Sequence, residues 1–331
     1  MRHLITEAGV SSVEQLAEYV ARGGYEGLRK ALLNGPAWVV AEMRRAGLRG
    51  RGGSGMGGPV ADKWARVARA EGPIPRYVVA NGAEGSPVSH KDRYLMALFP
   101  HRVLEGLLIA AAATGATGGY LYVRGDSEEA VAGMELALAE AREAGLLGSV
   151  EVELQTAAAR YHAGEETAVI DALEGLEGLP QPKPPRPEET GLHGCPTAVS
   201  NVETLAAAAG VLRLGPEAFL AVGTAECPGT ALFTVGGDVA HPGVYEMPYG
   251  TALAELLAEA GAPARDELLA VLPGGLSSGP LRPDELDVAL TYEALAATGS
   301  TLGNAAVVVF RRDGNSLARI AAETSEFLAE S

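Results

Sequence analysis

A chain of 331 residues with 47% hydrophobic and 21% charged residues has the make-up of a folded globular protein and is long enough for two domains. Its 26 Lys and Arg against 42 Asp and Glu leave a formal charge of −16, which argues against a nucleic-acid backbone or an anionic lipid surface as partner. Two cysteines, Cys195 and Cys227, are too few for a four-thiolate iron–sulfur cluster built from this chain alone.

The first 48 residues read as helices. Ser12 is the expected N-cap of the first, with Val13, Leu16, Tyr19 and Val20 at helical spacing until Gly23-Gly24 ends the run. Two more helices are expected over 25–33 and 37–46, the second closed by Gly47. From Gly47 to Pro59, seven of thirteen residues are glycine, and a short helix over 62–70 follows. Strand and helix then alternate: strand 76–80, a long apolar helix 95–113, strand 119–123, a charged amphipathic helix 127–144, strand 150–154 and a helix 164–173. That alternation requires right-handed crossovers, and so a parallel sheet covered by helices. The proline-rich stretch 179–187 is an extended connector. Paired strands over 232–235 and 243–247, a helix over 251–260 and a strand over 268–272 form a small α+β unit, and a strand over 305–310 precedes a C-terminal helix from about residue 316. The division expected is 1–48 helical, 49–225 α/β, 228–303 α+β, and 304–331 a C-terminal strand and helix. The start of the chain carries no secretory pattern and no apolar run reaches the roughly 18 residues of a membrane span, so a cytoplasmic protein without direct membrane insertion is expected.

Four stretches are candidates for chemistry. Gly50-Arg51-Gly52-Gly53-Ser54-Gly55 fits G-x-G-x-x-G, but a helix precedes it where a dinucleotide fingerprint needs a strand. Bare main chain still lets N–H groups approach a phosphate or a flat ring, and Arg49, Arg51 and Lys63 would add positive charge. A flexible surface loop is the competing reading. Asn81-Gly82-Ala83-Glu84-Gly85-Ser86-Pro87 leaves the first strand at its carboxyl end, where open α/β sheets bind ligands, although Asn-Gly is also a common turn. Glu165 and Glu166 open a helix, where carboxylates favour the helix dipole or face a ligand's ribose hydroxyls or ring N–H. Cys195, beside His193, is expected to be a small buried thiol. No nucleophile elbow, P-loop or H-E-x-x-H occurs, and no metal ligand set is expected.

In this order the pieces resemble the flavoprotein, NADH-oxidising subunit of respiratory complex I and its relatives in soluble hydrogenases and formate dehydrogenases. The matching stretches are Gly23-Gly24-Tyr25-Glu26, Gly47 to Gly55, Lys91-Asp92-Arg93, Gly164-Glu165-Glu166-Thr167-Ala168, Lys183-Pro184-Pro185, Gly194-Cys195-Pro196-Thr197 and Asn201-Val202-Glu203-Thr204-Leu205. Pro242 to Glu246 and Pro273-Gly274-Gly275 resemble that family's β-grasp-like soluble-ligand-binding domain. The resemblance implies a Rossmann-like parallel-sheet domain that binds FMN, with NAD(H) as substrate. Gly50, Arg51, Gly52, Gly53, Ser54 and Gly55 would lie over the flavin and its phosphate, and Lys63, Asn81 and Glu84 along the ribityl side. Gly164 with Glu165 and Glu166, the catalytic candidates, would face the reacting rings, and Val199, Ser200, Asn201 and Thr204 would complete the bed. Met56, Trp64 and Arg186 stand where contacts to NADH are expected. Relatives carry Phe-Pro-Thr-Gly where Met56-Gly57-Gly58-Pro59 stands, Asp at Ala83, Glu at Ser86 and Phe at Arg186, so the hold on FMN, and more so on NADH, is expected to be weaker. The chain ends at Phe327 to Ser331, before that family's cluster-binding Cys-x-x-Cys segment, so no cluster is expected in it and iron–sulfur subunits of a multi-subunit oxidoreductase are the expected partners. Two alternatives stay open: an FMN electron-transfer subunit with a donor other than NADH, and a non-catalytic scaffold.

Overall fold

The structure, a computed structural model, describes residues 4, 12–53, 57–72 and 74–330. Four parallel strands, β1 (Tyr77–Gly82), β2 (Gly118–Arg124), β3 (Glu151–Ala157) and β4 (Thr197–Asn201), form a sheet in the order β3-β2-β1-β4. Alternate residues of each strand face opposite sides. Val78, Ala80, Leu121, Val123 and Ala198 join the main core, whereas Val79, Tyr122, Ala157 and Val199 pack with Val169 and Ile170 of the helix Glu166–Leu173. The sheet is therefore covered on both faces, as a parallel sheet with helical crossovers requires.

The expected long helix over 95–113 is two helices, Lys91–Leu98 and Pro100–Thr114, bent by 98°. Pro100 lacks an N–H and disfavours helical geometry at the residue before it, and Phe99 accordingly leaves the helical region at φ −130 and ψ 47. No single helix among the described residues is long and apolar enough to cross a membrane. The helix Val202–Leu214, which no periodic signal separated from its surroundings, crosses Pro100–Thr114 closely because Gly106 presents no side chain to the Leu205 carbonyl. A Cβ at residue 106 would overlap that main chain. The first helix begins at Leu16 rather than after Ser12, because the Glu18 carboxylate reaches back to the Gln15 N–H (3.3 Å) and caps the helix there.

Glu105, on the buried helix Pro100–Thr114, fastens the N-terminal helices. Its carboxylate accepts the N–H groups of Tyr25 and Leu28, both at 2.9 Å, and the Tyr19 hydroxyl. Replacing Glu105 with Ala leaves these buried donors unmatched and should cost about 2–4 kcal/mol, read as a lower guanidinium midpoint. A loss below about 1 kcal/mol would show the helices to be held by packing alone.

A second sheet has the order β6-β5-β8-β7, built from β5 (Thr230–Gly237), β6 (Gly243–Pro248), β7 (Leu268–Leu272) and β8 (Ala306–Arg311). β5 pairs antiparallel with β6 and parallel with β8, and the helix Leu253–Glu259 adds Leu253, Leu256 and Leu257 to its core. The C-terminal segment set apart at 304–331 thus supplies an inner strand, so this sheet is complete only with chain beyond residue 303. The inner position suits its Ala-Val-Val-Val run, which is buried from Ala306 to Val309.

Candidate functional site

β1 has β2 on one side and β4 on the other, and their carboxyl ends lie side by side with Asn81 opposite Asn201. Chain order reverses between β1 and β4, which makes the crevice beyond them the topological switch point where doubly wound sheets take ligands. A cavity of about 480 Å³ opens there. A second of about 380 Å³ adjoins it, the two sharing Gly52, Gly53, Asn81, Gly164, Glu165 and Asn201. Both lie in the size range of small-molecule sites.

The glycine segment forms one wall. Its two ends meet at a bridge between Arg49 and Pro59, and the Gly50 N–H donates to the Gly58 carbonyl at 3.0 Å. The Arg51 N–H donates to Thr204 Oγ1 (2.9 Å), and the Tyr292 hydroxyl donates to the Gly50 carbonyl (3.0 Å). Gly53 adopts φ +85, and a Cβ there would come within 3.0–3.2 Å of Asn304, so the segment lies against the second unit only as glycine. Ser54, Gly55 and Met56 lie outside the described residues.

The positive charges expected of this segment are already matched. Arg49 pairs with Glu293 at 2.7 Å and stacks on the Tyr292 ring at 4.5 Å. Arg51 is buried 3.3 Å from Glu203, whose carboxylate also lies 3.0 Å from Lys91 and accepts the Leu232 N–H at 3.0 Å. Lys91 Nζ touches Asp92 at 2.6 Å, and Asn201 Nδ2 donates to the same carboxylate at 2.7 Å. Burial pushes Asp92 up to about 7 despite the adjoining ammonium. Burial also opposes the charge on Lys91, but Asp92 and Glu203 outweigh it and hold the ammonium protonated.

Glu84 lines the second cavity, with its carboxylate held by the protein. Its carboxylate accepts from Ser89 Oγ (2.7 Å), from the N–H groups of Asp92 (3.0 Å) and Arg93 (3.1 Å), and from Arg93 Nε (3.0 Å). It is the anchor for the start of the helix Lys91–Leu98, from a residue whose own φ is positive, 35°. Trp64 is no wall residue: it is wholly buried, with its Nε1–H 3.4 Å from Ser200 Oγ. Its place on the inward face of the amphipathic helix Val60–Ala68 explains this. Cys195 is partly exposed rather than buried.

Glu165 and Glu166 do reach the cavity. Glu165 caps its helix by accepting the N–H groups of Thr167 (2.8 Å) and Ala168 (3.1 Å), and also binds the Thr167 hydroxyl. Its second oxygen lies 2.7 Å from Lys183 Nζ, which reaches Glu166 at 3.1 Å as well. Lys63 binds Glu166 at 3.0 Å and the Val199 carbonyl at 2.9 Å. Burial works against ionising either carboxyl. For Glu165, hydrogen bonds from Lys183, Thr167 and the helix N–H groups outweigh it; for Glu166, the Lys63 charge and bonds from both lysines do so. Both carboxyls are held below their usual range and stay anionic at neutral pH. The remaining acids of the main cavity are matched too: Asp62 with Arg44 at 2.9 Å, and Glu188 with Arg66 at 3.2 Å. Asn81 donates to the Gly164 carbonyl (2.8 Å), and Asn201 caps the helix Val202–Leu214 at the Glu203 N–H (3.0 Å). Arg186 stands exposed on the cavity wall.

Tyr292, Asn304, Arg66 and Glu188 also line the site, and no local pattern marked them. Tyr292 lies 242 residues from its partner Gly50. Five buried polar atoms around the two cavities have no hydrogen-bond partner among the described residues: Arg51 Nε, Glu188 Oε2, Ser86 Oγ, His162 Nε2 and Asn304 Oδ1. Such atoms are rare because each costs desolvation energy, and their gathering around one crevice, beside glycine main chain, fits a ligand with many polar atoms and a flat ring.

The sequence profile of the Nuo51 FMN-binding domain matches residues 43–209, and that of the SLBB domain matches residues 232–279. The F 2 subunit of the NADH-quinone oxidoreductase of Rhizobium meliloti (strain 1021) is 39% identical over 98% of this chain and 79% of its own length. The F subunit of the NADH-quinone oxidoreductase of Escherichia coli (strain K12) is 38% identical over 95% of this chain and 72% of its own. Among solved structures, an NAD+-reducing [NiFe]-hydrogenase in the air-oxidized state superposes with a TM-score of 0.79 at 32% identity, over 96% of this chain. This chain spans about half the length of that hydrogenase chain, 53%.

Proposed function

Because this chain belongs to the Nuo51 family of NADH-quinone oxidoreductase flavoproteins, we propose that its switch-point crevice holds FMN and that NADH is oxidised there. When bound, FMN accepts a hydride from the nicotinamide and releases the electrons singly. The chain's own part is to bind, orient and exclude. Gly50, Gly52 and Gly53 offer bare main chain to a flat ring, and the amide of Asn81 and the main chain at Gly164 form the rim over the carboxyl ends of β1 and β4. The unpaired atoms of Ser86, His162 and Asn304 offer partners for the polar groups of the ribityl tail. Glu165 and Glu166, ionised and tethered by Lys63 and Lys183, present oxygens to the donor's ribose and ring amide without changing protonation state. No proton transfer by a side chain is required.

Electrons leave to iron–sulfur subunits of a multi-subunit oxidoreductase, the kind of assembly to which the relatives belong, and a cytoplasmic site gives access to the nicotinamide pool. The observation that carries this reading is that five buried polar atoms without a hydrogen-bond partner among the described residues belong to residues lining a glycine-walled crevice. The protein incubated with FMN and desalted should show a bound flavin spectrum, and anaerobic NADH should bleach it. A colourless protein leaves only the scaffold reading, and a yellow one that NADH does not bleach points to another donor.

A further inference from the structure

Asp92 lines the second cavity as one of a buried cluster of two cations and two anions, Arg51 and Lys91 with Glu203 and Asp92. The cluster is neutral while Asp92 is ionised and carries one net positive charge once Asp92 is protonated. The other acids facing it have partners of their own: Glu84, after β1, pairs with Arg93 at 3.0 Å, and Glu165, on the same cavity, with Lys183 at 2.7 Å. Lys91 is the one lysine or arginine among the described residues that line this cavity. Its ammonium is taken up by Asp92 at 2.6 Å and Glu203 at 3.0 Å. An anionic ligand therefore finds no free counter-charge there until a proton is added. Asn201, which lines both cavities, donates to the Asp92 carboxylate at 2.7 Å, so an occupant of the crevice lies against the side chain that holds Asp92. Burial pushes Asp92 up to about 7, so near neutral pH it gains or loses its proton readily, whereas Lys91 stays protonated.

We propose that Asp92 takes up a proton when an anionic ligand fills the crevice, which leaves the Lys91 charge to neutralise that ligand. The proposal rests on the reading of the crevice as an FMN site, where the phosphate supplies the anion. It requires no particular orientation of the flavin, because charges shielded from water act on one another across roughly 10 Å even in salt. The proton comes from solvent and stays on a carboxylate oxygen, and no bond of the ligand breaks. Since the complex then holds more protons than the free protein, affinity for FMN falls as pH rises above about 7.

Calorimetric titration of the full chain with FMN, in buffers of different ionisation heat, counts the protons taken up on binding. The wild type should take up about half a proton per FMN near pH 8, and its Kd should rise about three- to tenfold from roughly pH 7 to 8.5. In that range the phosphate of FMN is already a dianion and adds little of its own. Riboflavin, with the same ring and ribityl chain but no phosphate, should bind with almost no uptake. Asp92→Asn keeps the shape of the side chain and leaves Lys91 permanently uncompensated on that side. It should bind FMN without uptake, with a Kd that does not vary over the same range. At the alkaline end it should bind at least as tightly as the wild type, which damage to the site would not produce. His162 is the competing proton acceptor on this cavity, and His162→Gln should keep the proton count even where it weakens binding. No uptake by the wild type, equal uptake with riboflavin, undiminished uptake in Asp92→Asn, or its loss in His162→Gln alone overturns the assignment. If Asp92→Asn does not fold, the contrast between FMN and riboflavin in the wild type decides. If FMN binds without uptake, only the role of Asp92 fails. If neither flavin binds, the FMN reading of the crevice falls with it.

Discussion

Replacing Glu203 with Ala is expected to lower folding stability by about 3–5 kcal/mol, the cost of stripping the counter-charge from buried cations. Arg51 and Lys91 are 4% and 2% exposed, and both rest against this one carboxylate, which is itself 1% exposed. The same side chain accepts the Leu232 N–H at 3.0 Å, and Leu232 opens the central part of β5 in the second sheet. The substitution thus strips the counter-charge from Arg51 under the glycine segment, leaves Lys91 with Asp92 alone, and frees a main-chain donor between the two units. Guanidinium unfolding followed by circular dichroism reads the loss. Glu203→Gln, which keeps an acceptor for Leu232 and the side-chain volume, should lose less than Glu203→Ala. A cost below about 1 kcal/mol for Glu203→Ala would mean that water enters and solvates the two cations, and that the cluster does not hold the segment in place.

Glu165→Ala is expected to separate stability from chemistry. As an N-cap, Glu165 is worth about 1 kcal/mol. As the group that fixes Lys183 and, through it, Glu166, it sets the donor-facing wall, and a misplaced wall slows hydride transfer by about 10²-fold. The two roles belong to different oxygens, one on the Thr167 and Ala168 N–H groups and one on Lys183. Glu165→Ser provides the discriminating variant: a serine hydroxyl caps the helix but does not reach Lys183. Its thermal midpoint should match the wild type while anaerobic flavin reduction, followed by stopped flow, stays as slow as in Glu165→Ala. A Glu165→Ser protein that recovers both stability and rate would reduce Glu165 to a cap.

Much of the site was legible residue by residue. The glycine segment, Asn81 at a strand's carboxyl end and the Glu165-Glu166 pair each carry a local reason to stand near a ligand, and all three line the crevice. Glu84 shows where such reasoning ends. A glutamate after a strand reads as a ligand contact, and Glu84 does line the second cavity, yet its carboxylate also holds Ser89, Arg93 and the N–H groups that start the next helix, which no local pattern shows. Trp64, by contrast, lines neither cavity, since its side of the helix Val60–Ala68 faces the core.

Taken by itself, the order of residues determined the alternation of strand and helix, the parallel sheet, the two-unit plan and the place of bare main chain. These follow from apolar periodicity, glycine density and proline positions, which act over a few residues. Only the tertiary structure decided that β4 lies beside β1, that β8 enters the second sheet between β5 and β7, and that Arg49, Arg51 and Lys63 are matched by carboxylates while Arg186 is left free. Coulomb pairing and burial depend on which groups become neighbours in space, and here the neighbours are as far apart in sequence as Arg51 and Glu203, 152 residues.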